Sequence, residues 1–306
     1  MLAKPEIACA IIEGISSVRE DEELQDFVVE VEGKEFKCHR LILSACSGFF
    51  RGLLRSGMKE KQKQRTKLDG VSTETFAAIL EILYTGRDNL TRDNMLIWET
   101  SSQLMYTNII ERCEQFLINN TSLENWNIIY ATSKKLGSEL ILSHARDFIK
   151  KNYEQVIKSK SFLCLHENDL LEIIKSQDLV VSTEDVVVWS ILYWVNNGSQ
   201  IASETIAGSL NDNASSFLSK EKAEEDERIN NGGNIAIKTR YSKEYRKEFL
   251  GSLLSETRLC LVNSYDLEKL SHDPLVMEND RARQIVMDAA LSKSAVYQHG
   301  QWSKSA

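Results

Sequence analysis

Asp26-Phe27-Val28-Val29-Glu30-Val31-Glu32-Gly33-Lys34-Glu35-Phe36-Lys37-Cys38-His39-Arg40-Leu41-Ile42-Leu43-Ser44-Ala45-Cys46-Ser47-Gly48-Phe49-Phe50 is the stretch on which the fold turns. Phe27 to Val31 is rich in β-branched residues and reads as a strand. Glu32-Gly33-Lys34 supplies a turn, and Glu35 to Cys38 can return as a second strand, so the pair is a hairpin. From Arg40 the apolar spacing becomes helical, with Leu41, Ile42, Leu43, Ala45, Phe49, Phe50, Leu53 and Leu54 over residues 40–55. Gly48 and Gly52 predict a break, or two short helices.

On the N-terminal side, residues 5–18 read as a helix with Pro5 in its first turn and Ala8, Ile11, Ile12, Ile15 and Val18 on one stripe. The acidic run Glu20 to Glu23 then stays in water. On the C-terminal side, Met58 to Lys67 is highly charged, and Lys67 to Gly70 reads as a short edge strand or turn. Ser72 or Thr73 caps a helix through Leu83 that stops at Gly86, and helices follow at about 93–105 and 107–118. This first part is a small α/β unit. From Ser122 the pattern is helical only, over about 123–136, 138–151, 153–158, 161–164, 167–175 and 183–196. Ser182 or Thr183 is expected to cap the last of these, with Glu184 and Asp185 facing the helix dipole. Residues 198–238 are polar and rich in Asn, Gly and acids, a composition that cannot offset ordering entropy and is expected to be disordered. Helical spacing returns at Tyr245 to Leu261 and at about 280–291. No internal repeat is evident.

The chain of 306 residues fits about two domains at roughly 150 residues each. Lys+Arg is 37 and Asp+Glu is 45, so the net charge is 37 − 45 = −8, which argues against broad binding to nucleic acid or an acidic membrane. With only 2 prolines, Pro5 and Pro274, long helices run uninterrupted. No stretch reaches the ~18 apolar residues of a membrane span. No secretory signal is visible, so the 6 cysteines are expected to be reduced thiols of an intracellular protein, in cytoplasm or nucleus. Cys38, His39 and Cys46 lack the spacing of a metal site, and no nucleophile, phosphate-loop or metalloprotease motif occurs. The carboxylates Glu224 and Glu225 fall in the polar segment, where they cannot be preorganised. No cofactor, metal or catalytic residue is expected, and the protein reads as no enzyme.

Residues 26–50 resemble the BTB/POZ domain through Asp26, Gly33, Phe36, His39, Arg40, Leu43, Ser47 and Phe50 in order. Phe76, Leu80 and Leu83-Tyr84-Thr85-Gly86 resemble that family's later helix end. Gln25 and Phe27 stand where Cys and Val are usual. The second half is similar to the BACK domain of Kelch-like proteins, through Asn125-Trp126, Ala131, Ala145, Phe148-Ile149, Asn152-Tyr153, Phe162, Asp178-Leu179, Glu184, Val187 and Trp194-Val195. Leu250 to Leu261 and His272-Asp273-Pro274-Leu275 continue the likeness, with Thr257 where Val is usual. The resemblance implies an α+β, mostly helical protein: a BTB/POZ α/β domain at 1–120 and an all-α BACK domain. The BACK domain would occupy 121–197 and 239–292, split by the insert at 198–238, with a tail at 293–306. Kelch repeats would need about 300 further residues, which this sequence does not contain.

The same resemblance implies a dimeric adaptor that docks on a cullin-3 RING ubiquitin ligase and presents an unknown substrate protein. The alternative is a transcriptional or structural scaffold with no ubiquitin-ligase role. Met58-Lys59-Glu60 matches the family's hydrophobic-x-Glu signature, an apolar knob with a carboxylate two residues on; a solvated charged loop would also suit it. Phe49, Tyr106 and Asn108 are expected on the same cullin-binding surface. Ile11, Ile12, Ile15 and Val18 are expected either to bury against a second copy or to pack on their own domain. Asp26, His39 and Arg40 would form a charged pocket, or a buried ion pair that caps a helix.

Overall fold

A computed structural model describes residues 5–55, 64–87, 94–197 and 242–302. It is α+β and mostly helical, and it divides into two compact units, 1–145 and 146–306. The sequence-expected insert at 198–238 and the Met58–Glu60 motif lie outside the described residues.

The hairpin forms as read, with β1 at Phe27–Val31 and β2 at Lys34–Cys38. Its turn is two residues, Glu32 and Gly33, both at positive φ (49° and 81°), so Lys34 belongs to the strand. Two left-handed residues match the twist of a tight hairpin. β3 is Arg65–Leu68 and pairs parallel to β1, giving the order β2-β1-β3. Phe27, Val29 and Val31 bury their side chains while Val28 and Glu30 are half-buried.

The expected helix over 40–55 is two helices, Arg40–Cys46 and Gly48–Arg55. The break falls at Ser47, whose extended backbone lets its buried Oγ donate to the Leu104 carbonyl (2.5 Å) and accept from the Phe50 amide (3.1 Å). Gly52 sits inside the second helix and interrupts nothing. Helix Thr73–Thr85 has Ser72 as its cap, accepting from the Thr75 amide, and ends on Gly86 at φ 65°. Helices Asn94–Gln103, Thr107–Asn120 and Trp126–Leu136 follow.

The division between compact units falls inside helix Glu139–Lys151. Helix Trp126–Leu136 is tied to the first unit, where Lys135 pairs with Glu99 (3.2 Å). Ser138 Oγ donates to Glu114 (2.6 Å), and His144 Nε2 meets Thr121 Oγ1 (3.1 Å).

The second unit is helical throughout its described residues, with its core on Leu170, Val187, Ile191, Val195, Leu250, Leu254 and Val286. Helix Glu184–Asn196 is capped at Thr183, but neither Ser182 nor Thr183 uses its side chain for this. Ser182 instead gives its amide to Glu154 (2.7 Å). The first-turn acids take partners from the returning chain. Glu184 accepts from the Arg258 amide (2.8 Å), and Asp185 accepts from both the amide and the side chain of Asn263. The expected helix over 245–261 therefore stops early, as Lys243–Ser255, followed by a 3-10 turn at Leu259–Leu261. Gly251 faces helix Asp280–Trp302 so closely that a Cβ there would lie 2.9 Å from Arg281 Cβ. That last helix runs on to Trp302, past the end of the helical spacing seen at about 280–291 and into the segment expected as a C-terminal tail. Ser292 and Ser294 are weak helix formers, but no proline or glycine breaks the helix before Gly300.

Candidate protein-interaction surface

Asp26, His39 and Arg40 meet where β2 ends and helix Arg40–Cys46 begins. Asp26 is exposed, and its Oδ1 accepts from the Arg40 amide at 2.8 Å, so it satisfies a first-turn donor of that helix. An exposed carboxylate excludes the buried ion pair. The Arg40 guanidinium lies over the Phe27 ring, 5.5 Å from its centroid. His39 is buried. The Tyr84 hydroxyl accepts from the His39 amide (3.1 Å) and stands 2.7 Å from His39 Nδ1. Nδ1 donates to this oxygen or accepts from it according to the ring tautomer. Nε2 is buried and has no partner among the described residues. Burial pushes the Tyr84 hydroxyl up to about 12, against the bond from the His39 amide. It pushes the Cys38 thiol up to about 12 as well, which rules out an activated thiolate.

The expected dimer stripe on helix Pro5–Val18 divides. Ile11 is 57% exposed, whereas Ile15 and Val18 are half-buried within the chain. Ile12, at 40%, turns its methyl carbons toward Gly86. Arg19 anchors the end of this segment by pairing with Glu81 and lying 5.4 Å over the Tyr84 ring. The stripe thus packs on its own domain with one edge and leaves the other in water. Ile7, 55% exposed, belongs to that outer edge; its spacing of four from Ile11 was the available signal. Leu41, which sequence periodicity counts with the core, is 76% exposed.

Of the expected cullin-binding residues, Phe49 is half-buried with its ring 5.2 Å from Phe50, and Asn108 is exposed. Tyr106 is a correction. It is 1% exposed, its ring lies 6.4 Å from Phe50, and burial raises its hydroxyl pKa, so it is a core residue and offers no surface contact. Its neighbour Met105 takes the outside, with φ at 55°. The Met105 carbonyl accepts from the Gly48 amide (3.1 Å), and Met105 Cβ would be 3.0 Å from a Cβ at residue 48. A side chain at residue 48 would thus crowd Met105, which itself sits in the left-handed region. A non-glycine residue there costs on the order of 1–2 kcal/mol. Nothing in the sequence signals that strain.

Among the described residues no group of three or more His, Cys, Asp and Glu is arranged to hold a metal ion, and no helix is long and apolar enough to cross a membrane.

Residues 15–121 match the family model of the BTB/POZ domain, and residues 128–219 match the one described as BTB And C-terminal Kelch. The chain is a BTB–BACK protein, homologous to the Kelch repeat and BTB domain-containing and Kelch-like proteins. It is 31% identical over 192 residues to Kelch repeat and BTB domain-containing protein 8 of Xenopus tropicalis, covering 62% of this chain and 32% of the relative. It is 30% identical over 189 residues to Kelch-like protein 40b of Danio rerio, covering 61% and 31%. The chain therefore matches about a third of the length of these curated relatives. The solved BTB domain of human gigaxonin aligns at 24% identity with a TM-score of 0.34, covering 38% of this chain and 96% of that one.

Proposed function

We propose that this chain is the dimeric, non-enzymatic adaptor part of a cullin-3 RING ubiquitin ligase, acting in the cytoplasm or nucleus and serving a substrate protein not specified by its sequence. The observation that carries this reading is a BTB/POZ match followed directly by a BACK match in one chain. The outer edge of helix Pro5–Val18 supports the dimer. Ile7 and Ile11 stand in water, and burying such side chains against a second copy gains about 1.5–3 kcal/mol each before entropy is subtracted. Met58 and Glu60 remain the cullin anchors by sequence, with Phe49, Met105 and Asn108 as the exposed or half-buried neighbours in chain order. Catalysis would belong to the partners of the complex.

The test is a titration with cullin-3. Met58→Ala together with Glu60→Ala is expected to weaken binding at least about tenfold, or roughly 1.4 kcal/mol, because interface energy concentrates in few residues. Light scattering is expected to give about twice the 34.8 kDa chain mass for both proteins. Unchanged cullin-3 affinity in the double variant removes the anchor reading. A chain that retains a co-repressor and no cullin-3 is a BTB scaffold instead.

A further inference from the structure

Among the described residues, no backbone of the chain itself pairs with the outer edge of the small sheet. β2 is outermost in the order β2-β1-β3. The two-residue turn makes Val31 and Lys34 the bonded pair that closes the hairpin, and bonded pairs then alternate along an antiparallel ladder. The N–H and C=O groups of Glu35 and Lys37 therefore point away from β1. Among the described residues no backbone bond meets them.

Beside this edge lies an open cavity of about 450 Å³. Its floor is formed by Leu80 and Tyr84, both buried, with half-buried Phe36; its rim carries the exposed carboxylates Glu20, Glu22 and Glu35 beside two cations that are already paired, Arg19 with Glu81 and Lys37 with Glu22. Edge strands are commonly guarded by lysine. Here both candidates are drawn aside. The Lys34 ammonium lies 5.2 Å from the Phe36 ring centroid, and Lys37 is held by Glu22 at 3.1 Å. Arg65 holds Glu35 at 2.6 Å. Glu20 and Glu23 of the exposed acidic run face no cation within ion-pair distance among the described residues.

We propose that this edge docks an extended segment of a partner protein, added as a fourth strand, with side chains that alternate between apolar and basic. The free groups of Glu35 and Lys37 supply main-chain bonds, which give such a strand affinity without regard to sequence. Its side chains alternate across the sheet, so one set covers Phe36 and the cavity floor. The acidic rim selects Lys or Arg in the other set. A second copy of this chain is the poorer occupant, because it would bring its own Glu20 to Glu23 run against the same rim.

The test uses the full chain and a synthetic peptide, acetyl-Lys-Val-Lys-Val-Lys-Val-amide. Saturable binding that weakens with added salt is expected, with the largest amide shifts at Glu35 and Lys37 in spectra of isotope-labelled protein. Glu20→Lys with Glu23→Lys, the first on the rim and the second in the exposed acidic run that continues from it, is expected to weaken binding at least about tenfold, since exposed charges steer but do not hold the fold. The melting temperature of that variant should match the parent, because both side chains are exposed. Two further peptides, one with Glu for Lys and one with Gly for Val, are expected not to bind. Equal binding of the glycine peptide, unchanged binding by the double variant, or shifts confined elsewhere would each overturn the proposal. So would an oligomer larger than the dimer that Glu35→Pro dissolves, because the edge would then belong to a second copy. None of these readouts involves cullin-3, so the docking edge and the adaptor reading stand or fall separately.

Discussion

Two polar groups set into apolar surroundings behave oppositely in the two units. In the first, the cluster of Asp26, His39 and Arg40 looks from sequence like the chemical centre of the domain. Its carboxylate is nevertheless in water and, among the described residues, accepts one hydrogen bond, from the Arg40 amide. In the second, Arg246 attracts no notice in the sequence and is 1% exposed. Its Nη1 donates to the Trp194 carbonyl at 2.7 Å and its Nη2 to the Leu163 carbonyl at 2.6 Å, with the guanidinium 4.1 Å from the Trp194 ring centroid. A fork of fixed geometry thus ties helix Lys243–Ser255 to two segments that precede residue 198. The comparison teaches that stability follows what a polar group must leave unpaired in the dry interior. A family motif does not mark that quantity.

The largest effect is therefore expected at Arg246. Arg246→Ala leaves two buried carbonyls without their donors and opens a space beside Trp194. Together these cost about 3–5 kcal/mol. Arg246→Met keeps the packed stem and should recover part of the loss. Guanidinium unfolding followed by tryptophan fluorescence reads both. A midpoint for Arg246→Ala within error of the parent would break the comparison at its stronger end.

Tyr84 lies between the extremes, because it is the buried member that the surface cluster depends on. Tyr84→Phe removes the partner of the His39 amide and of Nδ1, at about 1–3 kcal/mol. The pH dependence sharpens the test. The Tyr84 hydroxyl loses its proton near 10 in the unfolded chain and near 12 in the folded one. The unfolded state thus releases its proton first, and the stability due to this group is complete below pH 10 and lost as pH rises to about 12. Cys38 acts with the same sign, from 9 to about 12, and persists in the variant. Unfolding midpoints across that range should fall less steeply in Tyr84→Phe than in the parent. Equal slopes would show that the hydroxyl is not shielded as its burial requires.

The hairpin, the stop at Gly86 and most helices of the second unit were legible because each is written in local residues. Glu32-Gly33 can only turn, and the apolar spacing of 167–175 has a single helical solution. What failed depends on distant partners. Glu184 and Asp185 stand in the first turn of their helix as read, but the sequence does not show that they also catch Arg258 and Asn263, more than seventy residues on. Tyr106 reads as a turn residue because nothing nearby shows Phe50 covering it. Arg246 was discoverable in part. It lies one helical turn before Leu250 and two before Leu253, on a stripe where an exposed charge is out of place. The interaction surface was less legible than the fold, since Leu41 and Met105 are exposed only because of how their helices and turns are set in three dimensions.

The smallest effect is expected at Asp26, the residue most prominent in the family resemblance. Asp26→Ala removes one acceptor from the Arg40 amide. That amide is one of the first donors of helix Arg40–Cys46, and His39, which occupies the cap position, makes no side-chain bond to replace it. Because the carboxylate is exposed, water can reach the amide once the side chain is gone. The cost should stay near that of a lost helix cap, about 0.5–1 kcal/mol. Asp26→Asn keeps an oxygen of the same reach and should cost less still. Thermal unfolding of both variants beside Arg246→Ala decides the matter. If Asp26→Ala falls by as much as Arg246→Ala, the carboxylate must be holding more than one amide, and exposure would not be the variable that separates the two units.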